Sequence, residues 1–392
     1  MKTSHWFSLL SKRQRGWLYG TIVVMVVIVS FGMVMDSSGG KKKHLPKFSI
    51  DMSIKDIAPS LKVTGKSLAR ELNLPLNVPK RKRLRGLRVQ PEALDHAVHH
   101  LLSHRDAMLK YYVYAALVLG GLVFLTRLGR PDFSDVEQRR WWYPRAPYIV
   151  FLMISVIVAG FLLGKSPNPM EGVVKVFKSM VGLYPDPVAK VIAFIFFIVL
   201  AVVGNKLICG WACPFGALQE LIYSIPILKR IKQKKLPFAL TNTIRALIFI
   251  TMLFFLFGVI GGRKGMVIYH YINPFNLFNK DFDTVSIALT VLVSLLGSFL
   301  FYRPFCQFIC PFGLISWIAE RFSIVRIRID KDKCTQCGAC IKACPLEAAK
   351  GRVQGKILPS DCFSCARCLN VCSFDAIQYG PVFKSGVRPK IH

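Results

Sequence analysis

Among the side chains of this sequence that can do chemistry, the 12 cysteines come first, because their spacing uses every one of them. Cys334, Cys337, Cys340 and Cys344 form C-x2-C-x2-C-x3-C, with Pro345 next. Cys362, Cys365, Cys368 and Cys372 repeat that spacing, with Ser373 where proline is usual. Tight loops of this kind set three thiolates around one iron–sulfur cube and send the fourth cysteine to the neighbouring cube. The expected ligand sets are Cys334, Cys337, Cys340 and Cys372 for one [4Fe–4S] cluster, and Cys362, Cys365, Cys368 and Cys344 for the second. Gly338 relieves crowding beside the first set, and Ala366 takes the matching place in the second. Zinc sites use paired C-x2-C knuckles, not a triple run closed by x3-C-P. Disulfides are disfavoured in the reducing cytoplasm, where the loop charges described below place these thiols.

The other four cysteines come as two matching motifs, Cys209-Gly-Trp-Ala-Cys213-Pro-Phe-Gly and Cys306-Gln-Phe-Ile-Cys310-Pro-Phe-Gly. Upstream of each lies an Asn-Pro pair, Asn168-Pro169 and Asn273-Pro274. Each unit reads as apolar span, Asn-Pro loop, apolar span, C-x3-C-P-F-G and an amphipathic stretch. This is an internal repeat in parallel orientation, expected to pack about a pseudo-two-fold axis along a membrane normal. Such an axis brings both C-x3-C-P pairs to one spot, where four thiolates suit a third [4Fe–4S] cluster. A copper(I) site, a redox dithiol pair and plain buried thiols at helix ends are the alternatives the spacing leaves open.

The elements that position these cysteines are apolar. The chain is 53% hydrophobic and only 19% charged, with a mean hydropathy of +0.42, yet it carries a formal charge of +32. Nucleic-acid binding would explain such a charge, but the basic residues here sit in short clusters that flank apolar runs. A span needs about 20 apolar residues. Six stretches of roughly that length occur: 17–35, 111–128, 148–164, 188–208, 244–262 and 285–301. The second is the weakest, short and ending at Arg127. The first is too long for a signal-peptide core and lacks a small-x-small site near Met33–Ser37, so it reads as an uncleaved anchor. Basic short loops (Lys12, Arg13 and Arg15; Arg127 to Arg145; Lys229 to Lys235) all fall on one side of a six-span chain, which is then the cytoplasm. The C-terminal domain falls there too. Arg263 and Lys264 dissent, and so does 36–110, which carries Lys41–Lys43 and Lys80–Arg83 to the outside; long segments translocate largely regardless of charge.

The expected architecture is an α-helical integral membrane protein of about six spans, with an internal two-span repeat and a small α+β two-cluster ferredoxin domain at its C-terminal end. The divisions are an N-terminal anchor span at 1–35, an extracytoplasmic helical segment at 36–110, a membrane domain at 111–324, a ferredoxin domain at 325–380 and a tail at 381–392. In the outer segment Ser53 and Thr64 suit helix caps, Pro75 and Pro79 suit a helix end, and Pro91 suits a helix start. His96, His100 and His104 then share one helix face, which reads as a polar face more readily than as a haem or metal site.

The paired C-x3-C-P motifs together with two ferredoxin motifs resemble the membrane polyferredoxins of the NapH type, the quinol-dehydrogenase subunits of periplasmic nitrate reductase. They are also similar to the membrane half of the nitrous-oxide reductase regulators, the NosR type. The resemblance covers about 148–379. It implies electron transfer between the quinone pool and a redox protein partner, as a component of a quinol-dehydrogenase-type system in the bacterial cytoplasmic (inner) membrane. Regulators of the second type carry a flavin on a modified threonine in an S/T-G-A-T motif; Thr64-Gly65-Lys66-Ser67 is not that motif, so no flavin is expected. Nor is a haem, since there is no C-x-x-C-H and no histidine within a span. His270 in an outer loop is a place for a quinone head group or a plain helix cap. The alternative function is a reductase or maturation factor that handles copper at Cys209, Cys213, Cys306 and Cys310. A solute transporter is disfavoured, because the spans hold almost no polar pathway apart from Arg245 near a helix end.

Overall fold

A computed structural model describes residues 19–30, most of 48–103, 108–128, 145–182, 187–225, 235–259, 266–280, 284–356 and 359–382. The chain divides into two compact units, 29–111 and the remainder.

The smaller unit holds α2 (Ile54–Ser60), α3 (Gly65–Glu71) and α4 (Pro91–Ser103), around Ile54, Ile57, Leu68, Leu84, Leu94 and Val98. Ser53 is the expected cap of α2: its N–H and hydroxyl both donate to the Asp56 carboxylate, at 3.1 and 2.6 Å. Pro91 opens α4 as expected. Thr64 lies outside the described residues, and α3 stops at Glu71, before Pro75 and Pro79. On α4, Leu94, Ala97 and Val98 are buried while His96 is exposed, the arrangement of an ordinary amphipathic helix.

The larger unit is mostly helical. Its apolar helices are α1 (Tyr19–Ser30), α5 (Met108–Val123), α6 (Arg145–Ile154), α8 (Pro187–Val203), α10 (Phe238–Phe257) and α11 (Val285–Gly297). Two segments are long and apolar enough to cross a membrane by length and composition, Leu109–Thr126 and Phe238–Phe257. The first of these is the stretch that reads weakest in the sequence; a π-helical turn, Phe124–Leu128, carries α5 past its apparent end. A longer π-helical stretch, Ser155–Leu162, extends α6. The other four are shorter apolar helices that overlap the remaining apolar stretches.

Between the long helices sit short ones set by caps. Asn168 accepts from the Glu171 N–H at 2.8 Å and Pro169 takes the first position of α7 (Pro169–Met180). Asn273 does the same for a 3-10 helix, Pro274–Asn279. The Asn-Pro pairs are therefore helix starts within the connections, since proline has no N–H to leave orphaned there. α7 packs on α8, and α9 (Pro214–Ser224) packs on α6 and its extension. In the second repeat α12 (Pro304–Phe308) and α13 (Pro311–Ala319) pack on α10.

The C-terminal part is a two-stranded antiparallel ribbon enclosing the cysteine loops. β1 (Val325–Ile329) pairs with β2 (Ile377–Pro381), with Val325 opposite Pro381 and Ile329 opposite Ile377. Three short helices lie between them: α14 (Ala339–Ala343), α15 (Ala348–Val353) and α16 (Arg367–Asn370). The ribbon is tied to the helical part by the Ile324 N–H on the Val202 carbonyl, 3.0 Å, and by the Tyr379 hydroxyl on the Gly204 carbonyl, 2.8 Å.

Candidate metal centre

The two ferredoxin-type loops adopt the same backbone. Gln336 and Ser364, each two residues into its run, have φ of 55° and 49°; Gly338 and Ala366, each four residues in, have φ of 73° and 61°. Gly338 and Ala366 serve as N-caps of α14 and α16. Left-handed backbone suits glycine and costs an alanine, so Ala366 holds this conformation because its fully buried surroundings dictate it.

Two cavities sort the eight cysteines. Cys344, Cys362, Cys365 and Cys368 line one of about 500 Å³, closed by Pro345, Ile327 and Ile377. Cys334, Cys337, Cys340 and Cys372 line another of about 410 Å³. The fourth cysteine of each run has crossed to the other cavity, so the structure gathers the two sets that the spacing predicts. The surroundings differ. Cys337 is exposed among the exposed residues Lys331, Asp332, Lys333, Thr335 and Gln336, whereas Cys362 is buried.

The C-x3-C-P motifs are built as helix starts. Cys213 and Cys310 are the N-caps of α9 and α13, with φ, ψ of −73°, 116° and −65°, 115°, and each is followed by proline at the first helical position. The positive helix ends favour thiolate there. Cys209 lies in a π-helical turn, Ile208–Ala212, and Cys306 lies in α12. Cys209, Cys213, Cys306 and Cys310 are close enough to feel one another's charge, and Gln219 donates to the Cys306 sulfur at 3.5 Å. None of the twelve cysteines forms a disulfide.

Sequence reasoning missed the charged frame around this quartet. Each motif has a basic residue three places before its first cysteine, Lys206 and Arg303, and both reach across to the other motif. Arg303 donates to the carbonyls of Cys209 and Gly210, the latter at 2.9 Å, and Lys206 donates to the Gly313 carbonyl at 3.1 Å. Arg245 of α10 caps the Cys306 carbonyl at 3.0 Å, as Arg303 caps that of Cys209. The two CPFG glycines make room for this. A methyl group on Gly216 would stand 3.0 Å from Arg303 Nη1 and from the Cys209 oxygen; on Gly313 it would stand 2.8 Å from Arg245 Nη1 and 2.9 Å from the Cys306 oxygen.

Two buried carboxylates close the frame. Glu220 accepts from Arg303 at 2.9 Å and from Arg367 of the ferredoxin-type part. Asp361, which precedes Cys362, accepts from Arg245 at 3.0 Å and from Lys206. Burial works against ionising Asp361, but the Arg245 and Lys206 charges outweigh it and hold the carboxyl below its usual range. Three cations, Lys206, Arg245 and Arg303, thus stand at the quartet, and Arg367, which lines the Cys362 cavity, shares Glu220 with Arg303. Among the described residues no three His, Cys, Asp or Glu side chains converge tightly enough for a single ion. That holds equally for the two ferredoxin-type sets, as expected where a cube rather than one ion separates the thiolates.

The outer connections gather a separate polar group. Lys165 donates to Asn276 at 3.0 Å, Lys175 pairs with Glu171 at 2.9 Å, and Lys178 contacts the His270 ring at 2.9 Å.

A sequence family described as a 4Fe-4S binding domain matches residues 187–235 and again 283–329, one match per C-x3-C-P repeat. A second, described as a 4Fe-4S dicluster domain, matches 326–376. The chain is 30% identical to an uncharacterized protein of Methanocaldococcus jannaschii over 60% of this chain and 85% of that protein. It is 26% identical to the ferredoxin-type protein NapH of Haemophilus influenzae, over 64% of this chain and 97% of the relative. It is 30% identical to the regulatory protein NosR of Stutzerimonas stutzeri, over 41% of this chain and 22% of the relative. No solved structure matches.

Proposed function

The chain belongs to the iron–sulfur polyferredoxins of the NapH and NosR type, and from that premise we propose that it is a membrane electron-transfer protein passing electrons between the quinone pool and a redox partner through three [4Fe–4S] clusters. Cys334, Cys337, Cys340 and Cys372 hold one cluster, Cys362, Cys365, Cys368 and Cys344 the second, and Cys209, Cys213, Cys306 and Cys310 the third. When bound, the clusters supply one-electron redox chemistry. The chain's own residues bury the sites, fix the thiolates at helix ends and balance their charge.

The observation that carries this reading is the cationic frame on the quartet. An oxidised cubane held by four thiolates has about two negative charges, which the cations Lys206, Arg245 and Arg303 at the quartet offset. A buried charge left unmatched would be costly, so Lys206, Arg245 and Arg303 are placed for a dianionic occupant.

The membrane placement rests on the outward faces of the apolar helices. Val188, Ile192 and Val199 on α8, and Leu289, Val293 and Leu296 on α11, are all exposed. Apolar surface of that extent is solvated by lipid, not by water. Six spans then put the ferredoxin domain (325–380) in the cytoplasm, with 36–110 outside.

Iron analysis of anaerobically purified protein should approach about twelve irons, four per cluster. A value near eight that does not change on Cys209→Ser or Cys310→Ser would remove the third cluster. Addition of a quinol analogue to membranes containing the protein should reduce the clusters, followed by low-temperature EPR. If they stay oxidised with quinol but are reduced by a cytoplasmic ferredoxin, the direction is reversed. If copper(II) rapidly reoxidises them only when all four quartet cysteines are intact, the copper-maturation alternative is correct.

A further inference from the structure

The two C-x3-C-P repeats share a cation three places before the first cysteine and the C-P-F-G glycine, but they differ between the cysteines, most sharply at the position after the first, which is Gly210 in one motif and Gln307 in the other. A methyl group on Gly210 would stand 2.0 Å from the Phe363 carbonyl oxygen and 3.1 Å from its carbon. No side chain fits against backbone at that distance. Phe363 lies between Cys362 and Cys365. Its ring is buried, with Arg303 over it at 5.0 Å and Lys206 at 5.4 Å. The contacts around it are dense. Trp211 donates to the Ser364 carbonyl at 3.0 Å, Ser364 donates to the Asn205 carbonyl at 2.8 Å, and the Asn205 amide reaches the Cys362 carbonyl at 3.4 Å. Gln307 instead turns inward to the Tyr302 carbonyl of its own repeat.

The other cysteine loop stands apart. Residues 331–337 are largely exposed, and that lobe's link to the helical part in the same region is the Lys235 ammonium on the Ile341 carbonyl, beyond Cys340.

We infer that electrons pass between the quartet site and the ferredoxin-type domain through the 362–368 loop, docked on Gly210 and Trp211, and that the exposed Cys337 loop is the outer port to the redox partner. The inference rests on the three-cluster reading and gives it an order: quartet, Cys362 set, Cys334 set, partner. Each internal transfer moves one electron from a reduced cluster to its oxidised neighbour; no bond forms or breaks and no proton moves. A hydroquinone that becomes a quinone, with loss of two protons, supplies two such electrons. A one-electron acceptor protein removes them at the Cys337 side. The broken symmetry follows, since two membrane motifs meet one ferredoxin-type domain and only one of them can receive its loop.

The test uses full-length, anaerobically purified protein, fully reduced and examined by low-temperature EPR, with signals assigned through Cys337→Ala and Cys365→Ala. Cys213→Ser should remove the quartet cluster and, with it, the magnetic coupling seen on the Cys365-dependent signal, leaving the Cys337-dependent signal unchanged. Gly210→Ala should keep all the iron yet weaken that coupling and slow internal electron transfer several-fold. Gln307→Ala, at the matching position, should do neither. Should Gly210→Ala fail to fold, Ser364→Ala removes the hydroxyl bonds of that loop to the Gly204 and Asn205 carbonyls and should produce the smaller effect of the same sign. Loss of coupling on the Cys337-dependent signal instead, or no difference between the Gly210 and Gln307 variants, overturns the order while three clusters stand. About eight irons in the wild type, unchanged by Cys213→Ser, overturns the three-cluster reading and the order together.

Discussion

Glu220 and Asp361 divide four cations between them, two each, and Glu220 is the one on the helical side. It is fully buried and binds Arg303 and Arg367, one from each side of the junction between the helical and ferredoxin-type parts. Removing one partner of such a pair strands the other charge in a medium that cannot solvate it, which costs about 3–5 kcal/mol. Glu220→Gln should therefore lower stability by about that amount, measured by thermal unfolding in detergent with cluster absorbance as the probe. A surface pair such as Arg85 with Asp51, at 3.6 Å and well exposed, should give less than about 1 kcal/mol when broken. The cysteines were legible one by one because cluster loops impose local spacing. Their counter-charges were not. Lys206 and Arg303 stand at a fixed place before each motif, but their partners are distant in sequence: Asp361 lies 155 residues from Lys206, and Glu220 lies 83 from Arg303. Nothing local pairs them.

At the scale of elements, C-P-F-G is a helix start with a cysteine cap, and its glycine is the point where a guanidinium crosses the first turn, Arg303 of the other repeat at Gly216 and Arg245 of the same repeat at Gly313. Gly313→Ala would press a methyl group to 2.9 Å from the Cys306 carbonyl, which is backbone and cannot swing aside as Arg245 can. The expected outcome is loss of the quartet cluster alone. Iron should fall from about twelve to about eight while the two ferredoxin-type EPR signals persist. Retention of all the iron would mean that the first turn of α13 is more compliant than its contacts indicate. The helix starts at Ser53 and Pro91 were readable from residue type, since caps and first-turn prolines are local chemistry. The π-helical turns at Phe124–Leu128, Ser155–Leu162 and Ile208–Ala212 were not. They respond to packing: Ser155 donates to the Ala212 carbonyl at 2.6 Å, and Trp211 fills the space among Phe124, Tyr148 and Phe151.

For the molecule as a whole, the repeat was visible in the sequence, and the docking of the C-terminal domain on it was not, because that contact is made by residues distant in sequence, Lys206 and Arg245 on Asp361 and Glu220 on Arg367 among them. Topology follows from charge and apolar surface together. On the proposed reading, the exposed apolar faces on α8, α10 and α11 lie in lipid and the short basic loops face the cytoplasm. The segment 29–111 has its own buried core, so it is built to fold as a unit on whichever side receives it. Reporter fusions placed after Lys43 and after His392 should then report opposite faces of the membrane. If both report the same face, one of the stretches between them does not cross, 111–128 first among them; the 17–35 stretch precedes both fusions, and its failure leaves them on opposite faces. The sequence makes 111–128 the weaker candidate, whereas the structure gives Leu109–Thr126 the length to span; of the first stretch, the described residues form an apolar helix, Tyr19–Ser30. A third fusion, between Arg130 and Arg139, tests α5 directly. With α5 crossing it reports the face opposite the Lys43 fusion, the face reported after His392; with α5 not crossing it reports the same face as the Lys43 fusion. A fusion at Met1 tests α1 in the same way: it reports the face opposite the Lys43 fusion if α1 crosses and the same face if it does not.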